Sequence, residues 1–159
     1  MREILFRGKR ADRGAKGKWV YGDLSARIYN PEHDPHGCQS RIETDIHTHY
    51  TDKPWSGSIY TVDPDTVGQY TGLTDKNGKK IFEGDILKIY KKSDEHGGYY
   101  FPPLEYPVNV IVVWDLSSWT WETITKEKYY IHFPQAWCHY QCEIIGNIYD
   151  NPELMEVSE

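Results

Sequence analysis

Residues 62–90, VDPDTVGQYTGLTDKNGKKIFEGDILKIY, constrain the fold of this chain more than any other stretch. Apolar and polar side chains alternate along it, and two glycine-centred turns fold it back at Asn77-Gly78 and at Glu83-Gly84-Asp85. Alternation with a period of two marks a half-buried strand, because successive side chains of a strand point to opposite faces. Asn-Gly is favoured where both central residues of a hairpin turn carry positive φ, the type I′ geometry whose twist matches the flanking strands. The stretch therefore predicts strands over 66–73 and 79–82 joined as a hairpin, then a strand over 86–90. In that last strand Leu87 and Ile89 share one face, and Ile86, Lys88 and Tyr90 the other. Two tight reversals in so short a span open a small, strongly bent antiparallel barrel.

Elsewhere the chain adds strand signals and no helix of more than two turns. Candidate strands cover 2–6, 18–24, 38–46, 59–62, 108–114, 119–124, 129–133 and 142–149. Residues 108–114 (VNVIVVW) are apolar on both faces and read as a central strand, and Gly146 reads as a bulge or corner in the last one. Brief helical turns fit at Val67-Gly68 and within 134–140. Loops are expected over 8–17, over the proline-bearing 30–37, over a polar excursion at 53–58, and over 91–107. Asp63-Pro64-Asp65 punctuates the chain. The expected organisation is all-β: an irregular N-terminal antiparallel β subdomain over 1–65, a small barrel over 66–150 and an acidic tail over 151–159.

Composition agrees. Aromatic residues reach 14%, with 13 Tyr and 6 Trp, side chains that suit a pleated, half-buried surface. At 159 residues a chain buries about 68–70% of its unfolded surface, so a core needs no disulfide or metal. Three widely spaced cysteines, an odd number, fit a reducing cytosol better than a disulfide framework. The apolar run in MREILFRGKR is too short for a signal peptide, and no stretch approaches the roughly 20 apolar residues of a membrane helix. These features point to a soluble cytoplasmic protein with no membrane partner.

Charge is unevenly spread. Residues 1–18 carry seven Lys and Arg against Glu3 and Asp12, a net +5, which leaves −11 for the remainder of a chain whose total is −6. Such a segment can be an arm that docks on an acidic partner, whether nucleic acid or another subunit. The favoured reading is an edge strand whose cations discourage edge-to-edge pairing.

The segments REILFRGK and KWVYGDL, the central VDPDTVGQYTGLTDKNGKKIFEGDILKI and the terminal CEIIGNIYDNPEL together resemble the YopX-like family of phage and prophage proteins from Gram-positive bacteria. The similarity spans nearly the whole chain, while 29–60 and 91–107 carry no family signal. The resemblance implies a mostly β protein whose C-terminal half is a barrel of the Src-homology-three type, acting in a bacterial host cytoplasm. It supplies no catalytic residues.

Several residue groups invite a chemical reading. His33, His36 and Cys38, then Cys138, His139 and Cys142, then His47 and His49, are clusters of metal-ligand type, but none has the paired short spacing of a structural zinc site, and surface histidines and packed thiols account for them. Asp63 with Asp65, and Glu83 with Asp85, are paired carboxylates. Each pair brackets a Pro or Gly in a turn, where such side chains bond local amides. No Gly-x-Ser-x-Gly elbow, GxxxxGK[ST] loop or GxGxxG opening is present, and no cofactor or catalytic residue is expected. Nucleic-acid binding is the second reading. Arg7, Lys9 and Arg10 would supply phosphate contacts, with Lys88, Lys91 and Lys92 beside Tyr90, Tyr99, Tyr100 and Phe101 as stacking platforms, against the repulsion of an acidic remainder. The favoured reading is a non-enzymatic accessory protein that binds a host or phage protein or assembles as a homo-oligomer, for which its Tyr and Trp content is suited.

Overall fold

The computed structural model describes residues 3–29, 41–50, 53–91, 107–115, 118–132 and 140–156, and within them the protein is all-β, built of antiparallel sheets. The strands are β1 (Phe6–Lys9), β2 (Trp19–Tyr29), β3 (Arg41–Tyr50), β4 (Lys53–Thr61), β5 (Gly68–Thr74), β6 (Lys80–Phe82), β7 (Asp85–Lys91), β8 (Val108–Asp115), β9 (Ser118–Thr123), β10 (Tyr130–His132) and β11 (Tyr140–Asn147). The helical elements among the described residues are two 3-10 turns, Pro64–Thr66 and Pro152–Met155. No helix among them is long and apolar enough to cross a membrane. The chain divides into two compact units, Met1–Tyr70 and Thr71–Glu159, with the division inside β5.

In the first unit β1 lies between β2 and β5, pairing Phe6 with Gly22 and Lys9 with Trp19 on one side, and Phe6 with Gln69 and Arg7 with Gly68 on the other. The expected edge strand is thus an interior one, and it begins at Phe6 rather than at residue 2. β2 continues to β3 and β3 to β4, which absorbs the polar excursion expected at 53–58. Ser and Thr tolerate the extended backbone there, and Thr48 Oγ1 accepts from the Ser58 N–H at 3.2 Å. The end of β4 then returns to the segment after β1. The Ala11 N–H donates to the Thr61 carbonyl and the Asp63 N–H to the Lys9 carbonyl, each at 2.9 Å, around an Arg10–Val62 bridge. These bonds close four strands into a ring.

A ring this small has little room inside. Its inner side holds the buried Ile46 and Val62, and a side chain in place of Gly8 would meet Val62 at 3.1 Å and Ile46 at 3.3 Å. At Gly22 a Cβ would lie 1.9 Å from the His47 carbonyl oxygen, a distance no packing adjustment accommodates. Gly22, which read from sequence as a break in a strand, is what lets β2 and β3 approach.

In the second unit β5 and β6 form the expected hairpin, but its turn is not type I′. The Gly78 N–H donates to the Asp75 carbonyl, so Lys76 and Asn77 are the central pair and Gly78 follows at φ 80°. The Asp75 N–H meanwhile donates to the Lys79 carbonyl, giving a three-residue loop with a glycine bulge. The physical reason is Asp75: its carboxylate accepts the Asn77 and Lys79 N–H groups at 2.8 and 2.9 Å and widens the turn by one residue. The Glu83-Gly84 turn is as expected, with Gly84 at φ 78° and the Asp85 carboxylate accepting the Phe82 N–H at 2.8 Å.

β7 to β11 form a sheet of order β10-β9-β8-β7-β11, with the apolar β8 central as its two-sided sequence predicts. Its ends are β10 and β11. One face carries the core of the unit: Leu87, Ile89, Val108, Val110, Val112, Trp119, Trp121 and Cys142, joined by Ile81 of β6. Each fully buried aliphatic or aromatic side chain here contributes about 1.5–3 kcal/mol relative to exposure. The β7–β11 register shifts between Ile144 and Gly146, the bulge anticipated from the glycine.

Replacing Gly22 by Ala is expected to cost about 3 kcal/mol or more, because backbone must separate from backbone. Exposed Gly14→Ala should change stability by less than about 0.5 kcal/mol. Urea unfolding of both variants measures the contrast.

Candidate functional site

Alternation along β1 puts Arg7 and Lys9 on the outer side of the ring, opposite in direction to Gly8. Cross-strand pairing then sets Lys9 against Trp19 and Arg7 against Tyr21. The Arg7 guanidinium carbon lies 4.7 Å from the Trp19 ring centroid and the Lys9 ammonium 5.4 Å. Cations so placed are held by the ring quadrupole. Arg7 is only 6% exposed. Arg10 projects to the other side, 4.3 Å over the Tyr60 ring, and donates to both Asp12 carboxylate oxygens at 2.6 and 2.7 Å. That bidentate pair raises the Arg10 pKa and holds the Asp12 carboxyl below its ordinary value. Arg7, Lys9 and Arg10, nominated from sequence as phosphate ligands, are therefore already engaged within their own unit. Counting charges overlooked their partners, although Asp12, two residues from Arg10, was a visible signal.

Within the cationic N-terminal segment, Arg13, Lys16 and Lys18 have no ion pair among the described residues, and all three are exposed on the loop joining β1 to β2. Local bonds fix that loop. Arg10 and Lys18 pair through the Arg10 N–H at 2.9 Å, the Gly17 N–H donates to the Arg10 carbonyl at 2.8 Å, and Asp12 accepts the Gly14 N–H at 3.1 Å. Gly17 sits at φ 83°, which a side chain would disfavour.

Further along the outer side, His47 stands opposite Asp23 in register, with its Nε2 2.7 Å from Ser25 Oγ. Cross-strand polar contacts thus account for the histidine. Tyr21 and Ile59 are 47% and 50% exposed on the same outer side. Among the described residues no group of three His, Cys, Asp or Glu side chains is placed to hold a metal ion. His33, His36, Cys38, Cys138 and His139 lie outside the described residues, and His49 lies in β3.

In the second unit Lys88 and Tyr90 share a face of β7, as alternation requires. Lys88 stands opposite Glu143 and Asn109. The Tyr90 ring lies under the Lys76 ammonium at 4.7 Å, while Lys76 pairs with Glu143 at 2.6 Å. The salt bridge raises the Lys76 pKa and lowers that of Glu143. Tyr90 is thus built into a small network rather than presented alone as a stacking surface. Lys76 and Glu143 were not singled out from sequence, since their meeting needs β11 beside the hairpin turn. Tyr99, Tyr100, Phe101 and Lys92 lie outside the described residues.

Asp75 anchors this network. Burial pushes its carboxyl pKa up, but N–H groups of Lys79, Ile144 and Asn77 outweigh burial and hold it below the ordinary value. Cys142 lies in the core, where burial first and the Asp75 charge second push the thiol up to about 12. It is a buried thiol held protonated at neutral pH. The paired acids act as turn chemistry: Asp63 Oδ1 accepts the Asp65 N–H at 3.2 Å, and Asp85 caps its turn as described. Trp114, at the end of β8, is 51% exposed yet packs edge-on against Trp119 with centroids 4.8 Å apart, and Tyr130 on β10 is 54% exposed.

A family model described as YopX protein matches residues 6–156. The crystal structure of protein EF1440 from Enterococcus faecalis is similar to this chain at 20% identity, covering 97% of this chain and 99% of that one, with a TM-score of 0.44. Comparison with curated proteins finds no match.

Two measurements check the electrostatics of the second unit. Native protein treated with iodoacetamide near pH 8 should keep Cys142 unmodified in peptide mass maps, with alkylation only after unfolding. Because the Asp75 pKa is lower folded than unfolded, its contribution is full above the unfolded carboxyl value, about pH 4, and is lost as pH falls through the folded value. Asp75→Asn should therefore flatten the acid limb of a stability–pH curve and lower stability at neutral pH by about 1–3 kcal/mol.

Proposed function

The chain belongs to the YopX family, and from that premise we propose that it is a non-catalytic phage or prophage accessory protein, acting in a bacterial host cytoplasm by binding protein, either a partner or further copies of itself. The observation that carries this reading is the set of large apolar side chains held outward on ordered strands. Trp114 is fixed against Trp119 and Tyr21 is flanked by Arg7 across the β1–β2 ladder, and both remain about half exposed. A rigid exposed aromatic loses little conformational freedom on docking, which is why Trp and Tyr dominate binding hot spots. Cationic residues that would favour nucleic acid count for less. Arg7 is buried over Trp19, and Arg10 is neutralised by Asp12.

Light scattering of the purified chain should give a mass above the monomer. If it gives the monomer, a tagged chain should retain one defined protein from induced host cells, and Trp114→Ala or Tyr21→Ala should reduce retention at least tenfold, as for a hot spot worth about 1.4 kcal/mol or more. A monomer that retains nothing, or retention unchanged in both variants, sinks the reading.

A further inference from the structure

The formal charge of the two units differs in a way the total conceals. Residues 1–70 hold ten Lys and Arg against ten Asp and Glu, whereas residues 71–159 hold eight against fourteen, so the whole −6 sits on the second unit. Within each unit, partners remove much of the local charge. Arg10 pairs with Asp12, Lys76 with Glu143, and Lys128 with Glu122. Among the exposed charges that remain are two short segments of opposite sign, one on each unit. The loop between β1 and β2 presents Arg13, Lys16 and Lys18 without an ion pair among the described residues. The C-terminal 3-10 turn presents Glu153 and Glu156, exposed and likewise without a cation partner among the described residues, beside the exposed Met155.

Both segments are pre-shaped. The loop is braced by the Arg10–Lys18 backbone pair and the Asp12 cap. The turn is bonded from the Leu154 N–H to the Asn151 carbonyl and from the Glu156 N–H to the Glu153 carbonyl. We propose that the Arg13–Lys16–Lys18 loop of one copy docks on the Glu153–Glu156 turn of a second copy, a contact made twice in a symmetric dimer or serially in a ring or filament. The inference rests on the self-association arm of the function proposed above, and it names the surface. A second copy fits better than nucleic acid because an acidic second unit repels phosphate while offering the loop its counter-charge. Exposed ion pairs are individually weak and screened by salt, so they set register and salt sensitivity, with the neighbouring exposed Met155 adding apolar contact.

Charge reversal tests this in the full chain by sedimentation velocity over a micromolar range. One variant carries Arg13→Glu, Lys16→Glu and Lys18→Glu; the other carries Glu153→Lys and Glu156→Lys. These positions are exposed, so both should keep the circular dichroism of the parent. The parent should associate, with its dissociation constant rising about tenfold or more between low and high salt. Each variant alone should sediment as a monomer, and an equimolar mixture should associate again, because each reversed surface then meets its complement. Association of either variant alone at the parent's strength overturns this surface while leaving self-association intact. A parent that is monomeric throughout overturns both this surface and self-association. A mixture that stays monomeric overturns the pairing of loop with turn. Loss of labelled single-stranded DNA from the loop variant, with its mass unchanged, assigns the loop to nucleic acid instead.

Discussion

One buried carboxylate organises the C-terminal unit. Asp75 accepts N–H groups from Asn77 and Lys79 in its own turn and from Ile144 on β11, so a single ion fixes a hairpin loop and a distant strand together. A charge removed from water is costly unless donors surround it, and here backbone donors do so. Everything adjacent follows from that placement. Lys76 is aimed over Tyr90 and into Glu143, the Lys76 N–H reaches the Cys142 carbonyl at 3.0 Å, and the neighbouring thiol is kept protonated. An apolar side chain at residue 75 would leave three amides seeking partners within a closed-off corner.

The N-terminal unit is organised by absence of bulk. Gly8 and Gly22 bring strands close enough for Ile46 and Val62 to fill the ring's interior. The polar side chains displaced outward then find each other, which is why Arg7, Lys9 and Trp19 stack and why Ser25 meets His47. A segment that looks strongly cationic in one dimension becomes, once folded, mostly a set of internal contacts with a cationic loop left over.

The strands were largely legible because their causes are local. Alternation placed Leu87 and Ile89 in the core and Lys88 and Tyr90 away from it, Gly84 marked a turn that needs positive φ, and Gly146 marked the bulge. The turn at Asn77-Gly78 misled in type, because the residue before it competes for the same amides. β4 was cut short because its Ser, Gly and Pro residues read as loop, and only pairing to β3 draws them into a strand. The candidate surface was less legible still. Whether an arginine is available depends on what lies across the ladder, and Trp19 opposite Lys9 is a matter of register, which no single stretch of sequence specifies.

Closing the ring has a consequence for the order of events during synthesis. The Lys9 N–H is satisfied by Thr66 Oγ1, 57 residues later, and β1 takes its second neighbour from Gly68 and Gln69. Strand β1 must therefore wait, with one edge unsatisfied, until residues 66–69 have left the ribosome. Contacts so distant along the chain are slow to form, and an open strand edge in the meantime is where nascent chains misassociate. The charged side chains of that first segment, before they fold into internal contacts, are also what would keep it dispersed while it waits.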